Sequence, residues 1–206
     1  MSNISAAQVK ELREKTGLGL MDCKKALEDA EGNMDKAIEE LRKTSGVKAS
    51  KKAGRSAADG LIAIKNIEDQ IFMIEVNCET DFVARDDSFV EFTSQTLKSF
   101  SENPEKTLQE LMDDGIEDNR EKIVQKLGEN IVVRRVAKTE SSTITGSYLH
   151  SNNKIGCIVS LEGGSHDLAI DIAMHAAATD PLVVSPADIP SCLLYTSPSP
   201  RDLSTS

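Results

Sequence analysis

The sequence of 206 residues contains no tryptophan, and aromatic residues make up only 3% of it. A hydrophobic core must therefore be built mainly from Ala, Ile, Leu and Val, so the five Phe residues stand out. No stretch approaches the ~18 consecutive apolar residues of a membrane helix. The first residues form neither a signal peptide nor an Arg/Ser-rich transit pattern. These absences argue against a membrane protein and a secreted protein.

The sequence also lacks paired cysteines and an excess of basic residues. Cys23, Cys78, Cys157 and Cys192 are scattered, and none has C-x-x-C spacing. This pattern predicts reduced thiols and a cytoplasmic location. With 24 basic and 34 acidic residues the formal net charge is −10. Direct nucleic-acid binding depends on neutralising phosphates, so this charge favours protein partners instead.

Enzyme motifs are missing as well. The string "GLGLMD" from Gly17 resembles the start of a dinucleotide-binding motif, but Asp22 replaces the third glycine and no predicted strand precedes it. His166 and His175 are nine residues apart on one predicted helix and therefore lie on opposite faces, where they cannot share a metal ion. We expect no covalent chemistry, no bound metal and no cofactor.

The N-terminal part, residues 1–45, has the pattern of a three-helix module. Ser5 can cap the first helix, Gly17 can end it, and Asn33 can cap the third. The Lys/Arg-rich stretch 46–59 follows as a basic, partly helical connector. Such a charge run is either a solvated linker or a basic contact to an acidic partner surface.

Residues 60–140 and 141–190 repeat one order of elements, namely strand, strand, helix. The first unit contains the hairpin "LIAIKNI" and "IFMIEVNC", a helix start predicted from the capping box Ser88-x-x-Glu91, two further helical segments and the strand "IVVRRVAKTE". The second contains "TITGSYLHS", "KIGCIVSLEG" and a helix capped by Ser165. We predict an α+β fold with two related subdomains of antiparallel strands plus helices. Residues 191–206 match neither unit and are predicted to be a disordered foreign tail.

The stretch "NCETDFVARDDSF" places Phe82 between a predicted strand and a predicted helix. Phenylalanine is usually buried, which favours a core position. A position in a short connection flanked by carboxylates favours display at the surface instead.

Two long strings, "TGLGLMDCKKAL" and "NCETDFVARDDSF", together with "GENIVVRRV", "GSYLH" and "DIAMHAAATDPLVVSPADIP", resemble the bacterial elongation factor Ts family over about residues 1–190. Members of this family are guanine-nucleotide exchange factors of elongation factor Tu. The resemblance implies a ubiquitin-associated-like three-helix module followed by two α+β subdomains. Family members continue further, so we expect a C-terminally truncated chain with an incomplete second subdomain.

The resemblance also implies a site. The T-D-F-V segment, here Thr80, Asp81, Phe82 and Val83, is expected to disturb Mg²⁺ and phosphate binding and so promote GDP release from elongation factor Tu. The partner would be bound in its GDP-bound and nucleotide-free states. Possible additional partner contacts are Gly19, Met21, Asp22, Cys23, Lys24 and His150. The alternative is a protein-interaction module that lacks exchange activity because of truncation.

Overall fold

The chain begins with three helices in the computed structural model, which describes residues 4–140 and 143–191. Their bounds are Ala6–Thr16 (α1), Leu20–Asp29 (α2) and Met34–Lys52 (α3). The predicted helix signals are confirmed, because Ser5 caps α1, Gly17 ends it in the left-handed conformation, and Asn33 caps α3. The module has its own aliphatic core, formed by Val9, Leu12, Leu18, Cys23, Ala26, Leu27, Ala30, Ala37 and Leu41.

Helix α3 belongs to two cores. Its first half packs inside the three-helix module, whereas Ala49 is buried in the core of the next unit. The predicted connector 46–59 therefore starts as seven further residues of α3, up to Lys52. Because the helix is continuous, it fixes how the module sits on the rest of the chain. An exposed ion pair with a 2.7 Å contact between Arg42 and Asp118 lies along the same junction.

A three-stranded antiparallel sheet and several helices form the second unit. The strands, in the order β1-β2-β3, are Asp59–Ile67 (β1), Gln70–Cys78 (β2) and Val132–Lys138 (β3). The helices are Asp81–Ala84 (α4), Asp87–Glu102 (α5), Leu108–Leu111 (α6) and Glu117–Leu127 (α7). An irregular turn, Met112–Ile116, joins α6 to α7 because Gly115 there adopts a φ of 104°.

Helix α5 supplies most of the aromatic core. Phe89, Phe92 and Phe100 lie on one helix face at helical spacing and are buried against the sheet. The ring of Phe72 on β2 meets that of Phe100 edge to face, with 5.4 Å between centroids. The few Phe residues of this chain are thus concentrated where α5 covers the sheet.

The third unit is a two-stranded antiparallel sheet covered by one helix. Its elements are Ile144–Leu149 (β4), Gly156–Leu161 (β5) and His166–Thr179 (α8), and a short 3-10 turn follows at Pro186–Asp188. Ser165 caps α8 as predicted. The turn between the strands contacts β1, because the Ile62 N–H donates to the Asn153 carbonyl over 2.7 Å.

These elements confirm the predicted α+β class with an N-terminal helical module. None of the helices in the described ranges combines the length and apolarity needed to cross a membrane. Within those ranges no group of three His, Cys, Asp or Glu side chains is placed to hold a metal ion. The predicted tail 191–206 lies outside the described residues except for Ser191.

Candidate functional site

The T-D-F-V segment forms a one-turn helix directly after β2. Thr80 is extended, with φ −130° and ψ 157°, and its hydroxyl accepts the Val83 N–H over 3.4 Å. The short connection predicted between the strand and the helix around Phe82 is therefore itself helical, because Thr80 caps helix α4. A helical turn holds its side chains in more defined directions than an open loop would.

Phe82 lies on the surface of this turn. It is 83% exposed, whereas Phe89, seven residues further on, is 0% exposed. Ala84 is buried and Val83 packs against the core, so these two residues anchor the turn while the phenyl ring points away from it. The sequence left two interpretations of Phe82 open. A position in the core is wrong, and exposure at the surface is what the structure shows.

The polar neighbours of Phe82 form an exposed ion pair. The Asp81 carboxylate and the Arg85 guanidinium approach to 3.0 Å at i, i+4 spacing. Exposed pairs of this kind stabilise little, so both groups can exchange partners at low free-energy cost. The turn therefore presents an aromatic ring beside a carboxylate that is free to accept new hydrogen bonds.

The N-terminal end of α4 is held from another part of the chain. One Glu129 oxygen accepts the N–H groups of Glu79 and Thr80, each over 3.0 Å, and the other accepts the Thr80 hydroxyl over 2.6 Å. The Glu79 carboxylate in turn accepts the Asn130 N–H over 2.7 Å. Sequence reasoning missed Glu129, because no local spacing links a residue after α7 to a turn after β2.

Cys78, the last residue of β2, also contacts the start of α4. Its thiol lies 3.1 Å from the Thr80 carbonyl and donates to it. Burial, reinforced by the charges of Glu129 and Asp59, raises the pKa of the Cys78 thiol to about 12. The thiol therefore stays protonated at neutral pH and is not a nucleophile.

The predicted start of α5 needs a correction. The prediction that Ser88 and Glu91 form a capping box at the start of α5 is wrong, because α5 begins at Asp87 and its N-cap is Asp86. The Asp86 carboxylate accepts the Ser88 N–H over 2.8 Å. Asp86 is the first extended residue after α4, so its side chain is available before Ser88 is reached.

The candidate contacts of the three-helix module are mostly accessible. Gly19, Met21 and Lys24 are exposed around the start of α2, and Met21 is 73% exposed. Asp22 is partly buried and pairs with Lys48 of α3 at 3.1 Å. Cys23 is 0% exposed in the module core, so its prediction as a partner contact is wrong. It fills space between the helices, as free cysteines often do.

Helix α3 runs from this module face toward residues 128–130, which include the Glu129 that holds the Thr80 turn. Partial burial and the neighbouring Arg55 lower the pKa of Lys52, while Glu79 and Glu129 act in the opposite direction. Lys52 lies one helical turn after Lys48, the partner of Asp22, and its ammonium would be 3.8 Å from a Cβ atom on Gly128, the residue before Glu129. The segment just after α3 also contacts the residue after Glu129, because the Asn130 side-chain amide donates to the Arg55 carbonyl over 2.8 Å.

His150 is exposed at the end of β4. Its N–H donates to the Ile155 carbonyl over 2.9 Å, and its carbonyl accepts the Asn153 N–H over 2.8 Å. In the part of the chain that the structure describes, no hydrogen bond links His150 to α4. The two regions nevertheless share one end of the first sheet, because Asp59 is paired with Cys78 there and its carboxylate lies 2.8 Å from the Lys154 ammonium of the β4–β5 turn. Lys154 and the Gly60 N–H, and more weakly Arg85, lower the pKa of the Asp59 carboxyl.

Comparison with known proteins gives a consistent result. A family model described as "Elongation factor TS" matches residues 79–197. The match starts one residue before Thr80 and ends inside the predicted foreign tail. The chain is also similar to curated proteins named "Elongation factor Ts" from three bacteria. It is 54% identical over 193 residues to the one from Marinobacter nauticus, covering 93% of this chain and 66% of the relative.

The other two relatives agree closely with the first. For Hahella chejuensis the identity is 52% over 191 residues, covering 92% of this chain and 66% of the relative. For Saccharophagus degradans the identity is 51% over 191 residues, covering 91% of this chain and 66% of the relative. The chain thus spans about 66% of the length of the curated relatives it matches.

Proposed function

Since the chain belongs to the elongation factor Ts family, we propose that it is a guanine-nucleotide exchange factor that binds elongation factor Tu and promotes GDP release. It would bind the GDP-bound and the nucleotide-free partner, work in the cytoplasm and form or break no covalent bond. The single observation that carries the proposal is the exposed Phe82 on a helical turn whose neighbours are anchored in the core.

The phenyl ring is suited to act as a wedge. Inserted between two packed elements of the partner, it would bury its exposed surface and gain on the order of 2–3 kcal/mol. Packed interfaces switch between discrete arrangements rather than deform smoothly, so a rigid ring can shift a neighbouring helix by a defined step. A flexible side chain in the same place would transmit less of that displacement.

The consequence for the nucleotide follows from how GDP is held. Its phosphates are bound by backbone N–H groups and by a Mg²⁺ ion, which is among the largest charges in such a site. The family resemblance implies that the segment Thr80–Val83 disturbs this end of the site. Asp81 can exchange its Arg85 contact for partner donors, which would stabilise the displaced arrangement.

Exchange of this kind is a coupling between two binding events. The coupling is reciprocal. If binding of this chain weakens the binding of GDP to elongation factor Tu tenfold, then GDP weakens the binding of this chain to elongation factor Tu tenfold as well. Each tenfold change corresponds to about 1.4 kcal/mol. If the full 2–3 kcal/mol given above opposed GDP binding, the affinity for GDP would fall roughly 30- to 150-fold.

Additional contacts would come from the module face and from the β4–β5 turn. We propose Gly19, Met21, Asp22, Lys24 and His150 as accessible candidates, with Cys23 excluded by its burial. Met21 is a fitting anchor, because its large apolar side chain is unusually exposed for a residue of this type.

The test is the rate of labelled-GDP release from elongation factor Tu with and without this chain. We expect acceleration by the unmodified protein and a roughly 30- to 150-fold smaller acceleration by Phe82→Ala. A matched control is Leu182→Ala, which removes another apolar side chain of similar exposure, 80%, far along the chain from α4. This variant should behave like the unmodified protein.

Each outcome separates the alternatives. Binding to elongation factor Tu without any acceleration would favour an interaction module that lacks exchange activity. The absence of both binding and acceleration would overturn the proposal. Equal activity of Phe82→Ala and the unmodified chain would leave an exchange factor but would remove the wedge from its mechanism.

A further inference from the structure

In the part of the chain that the structure describes, two one-turn helices begin with a capping threonine, but only one of them has a complete local capping box. In α6 the N-cap is Thr107, and Glu110 at the third helical position accepts both the N–H and the hydroxyl of Thr107 over 2.8 Å. This is a complete capping box. In α4 the third position is Val83, whose apolar side chain packs against the core and offers no acceptor.

Glu129 takes the place of the missing capping glutamate. Its carboxylate binds the N–H and the hydroxyl of Thr80, the same two groups that Glu110 binds on Thr107, and also the N–H of Glu79. Three donors at the start of α4 are thus satisfied by one side chain from 49 residues further along. A single turn of four residues is not stable by itself, so such outside support matters.

Glu129 is itself held in a defined position. It follows Gly128, which ends α7 with a φ of 81° and turns the chain toward the sheet. The next residue, Asn130, is buried. Its backbone N–H donates to the Glu79 carboxylate over 2.7 Å, and its side-chain amide donates to the Arg55 carbonyl over 2.8 Å. Residues 79–80 and 129–130 are therefore joined in both directions, because backbone N–H groups of each segment donate to a carboxylate of the other.

We propose that Glu129 is a positioning residue, which completes the N-cap of α4 and thereby fixes the direction in which Phe82 is presented. The inference deepens the proposed function and rests on it. Glu129 acts through Thr80 and does not have to touch the partner. Its carboxylate reduces the number of orientations of the turn before binding, so less conformational freedom is lost when the ring is buried.

The first experiment measures the orientation of residue 82 in the free chain. The protein has no tryptophan, so Phe82→Trp introduces a single tryptophan, which can be excited selectively at wavelengths that its two tyrosines do not absorb. In this background we expect Glu129→Ala to increase the rapid local motion seen in time-resolved anisotropy. Glu110→Ala, which removes the equivalent glutamate from α6, should leave the anisotropy decay unchanged. An unchanged decay in the Glu129→Ala protein would overturn the positioning role.

The second experiment is a double-mutant cycle on GDP release from elongation factor Tu. Glu129→Ala should reduce the acceleration of GDP release about tenfold, because it removes a charged acceptor and with it a few hydrogen bonds of modest net free energy. In the Phe82→Ala background the same change should have no further effect. An equal additional loss in that background would show that Glu129 acts independently of Phe82 and would overturn the inference. Glu110→Ala again serves as the control.

Two further variants keep the result interpretable. Glu129→Gln retains an oxygen that can accept the two N–H groups, so it should recover most of the activity lost in Glu129→Ala. Glu129→Asp keeps the charge but shortens the side chain, so it should resemble the alanine variant and replaces it if Glu129→Ala fails to fold. If the unmodified chain does not accelerate release, the proposed function fails, whereas the anisotropy experiment still decides the role of Glu129.

Discussion

Phe82 and Phe89 are seven residues apart and have the same side chain, yet one is exposed and the other has no solvent contact. The difference comes from their elements. Phe89 lies on the inner face of α5, while Phe82 occupies the outer side of a single turn that is anchored by Val83 and Ala84. The burial preference of a residue type therefore says little here about the role of an individual residue.

This contrast leads to a prediction about stability. Phe89→Ala should lower the free energy of unfolding by about 3–5 kcal/mol, because it removes a fully buried ring from the core. Phe82→Ala should change it by less than about 0.5 kcal/mol, because an exposed side chain loses almost no burial. Urea unfolding followed by circular dichroism measures both values. Comparable destabilisation by the two variants would mean that Phe82 supports the fold.

Residue-scale predictions succeeded where the relevant chemistry is local. Ser5, Asn33 and Ser165 cap their helices as predicted, because an N-cap acts only on N–H groups two or three residues away. Two of the misses, Cys23 and Glu129, have non-local causes. Cys23 is buried by helices that meet only in the folded module, and Glu129 reaches Thr80 across the fold.

At the scale of elements, the type and order of the strands and of the longer helices were predictable from the sequence. Alternating and continuous apolar runs gave the hairpin β1–β2 and the pair β4–β5, and the apolar face of α5 followed from its Phe spacing. Element ends were less predictable. Asp86 and Ser88 are both good N-caps, and the one-turn helix before them decides which is used.

The contact between β4 and α8 gives an element-scale prediction. A Cβ atom on Gly146 would lie 2.3 Å from a backbone carbon of Ala169, so the strand and the helix touch through their main chains. Gly146→Ala should force the two elements apart and lower the free energy of unfolding by about 1–3 kcal/mol or more. Thermal unfolding monitored by circular dichroism measures the effect.

Gly163 provides the matched control for this variant. It lies in the same unit, and a Cβ atom there would meet no other atom within 4 Å. Gly163→Ala should therefore leave the unfolding midpoint nearly unchanged. A midpoint lowered equally in both variants would show that the close packing of β4 against α8 is not what limits stability.

At the scale of the whole molecule, three units are held together by a few specific connections. Helix α3 contributes to both the module core and the first sheet unit. The third unit meets the first sheet through its β4–β5 turn. This order of units could be expected from the sequence, but the connections could not, because they depend on pairs such as Ile62 with Asn153 that are far apart in the chain.

Another of these connections is the ion pair between Asp59 of β1 and Lys154 of the β4–β5 turn. The Lys154 ammonium lies 2.8 Å from the Asp59 carboxylate and, together with the Gly60 N–H, lowers the pKa of that carboxyl below its usual range. A carboxyl with a lowered folded-state pKa stabilises the fold above its unfolded-state pKa, near 3.9. This contribution is lost as the pH falls through the folded-state pKa.

Asp59→Asn should therefore lower the free energy of unfolding most near neutral pH and progressively less below about pH 4, where the unmodified carboxyl also becomes protonated. Lys154→Met should show the same convergence, because it removes the other half of the pair. Asp171→Asn, on the exposed face of α8, serves as the control. The measurement is urea unfolding between about pH 7 and pH 3. A pH-independent difference between Asp59→Asn and the unmodified protein would mean that the Asp59 charge does not join the third unit to the sheet.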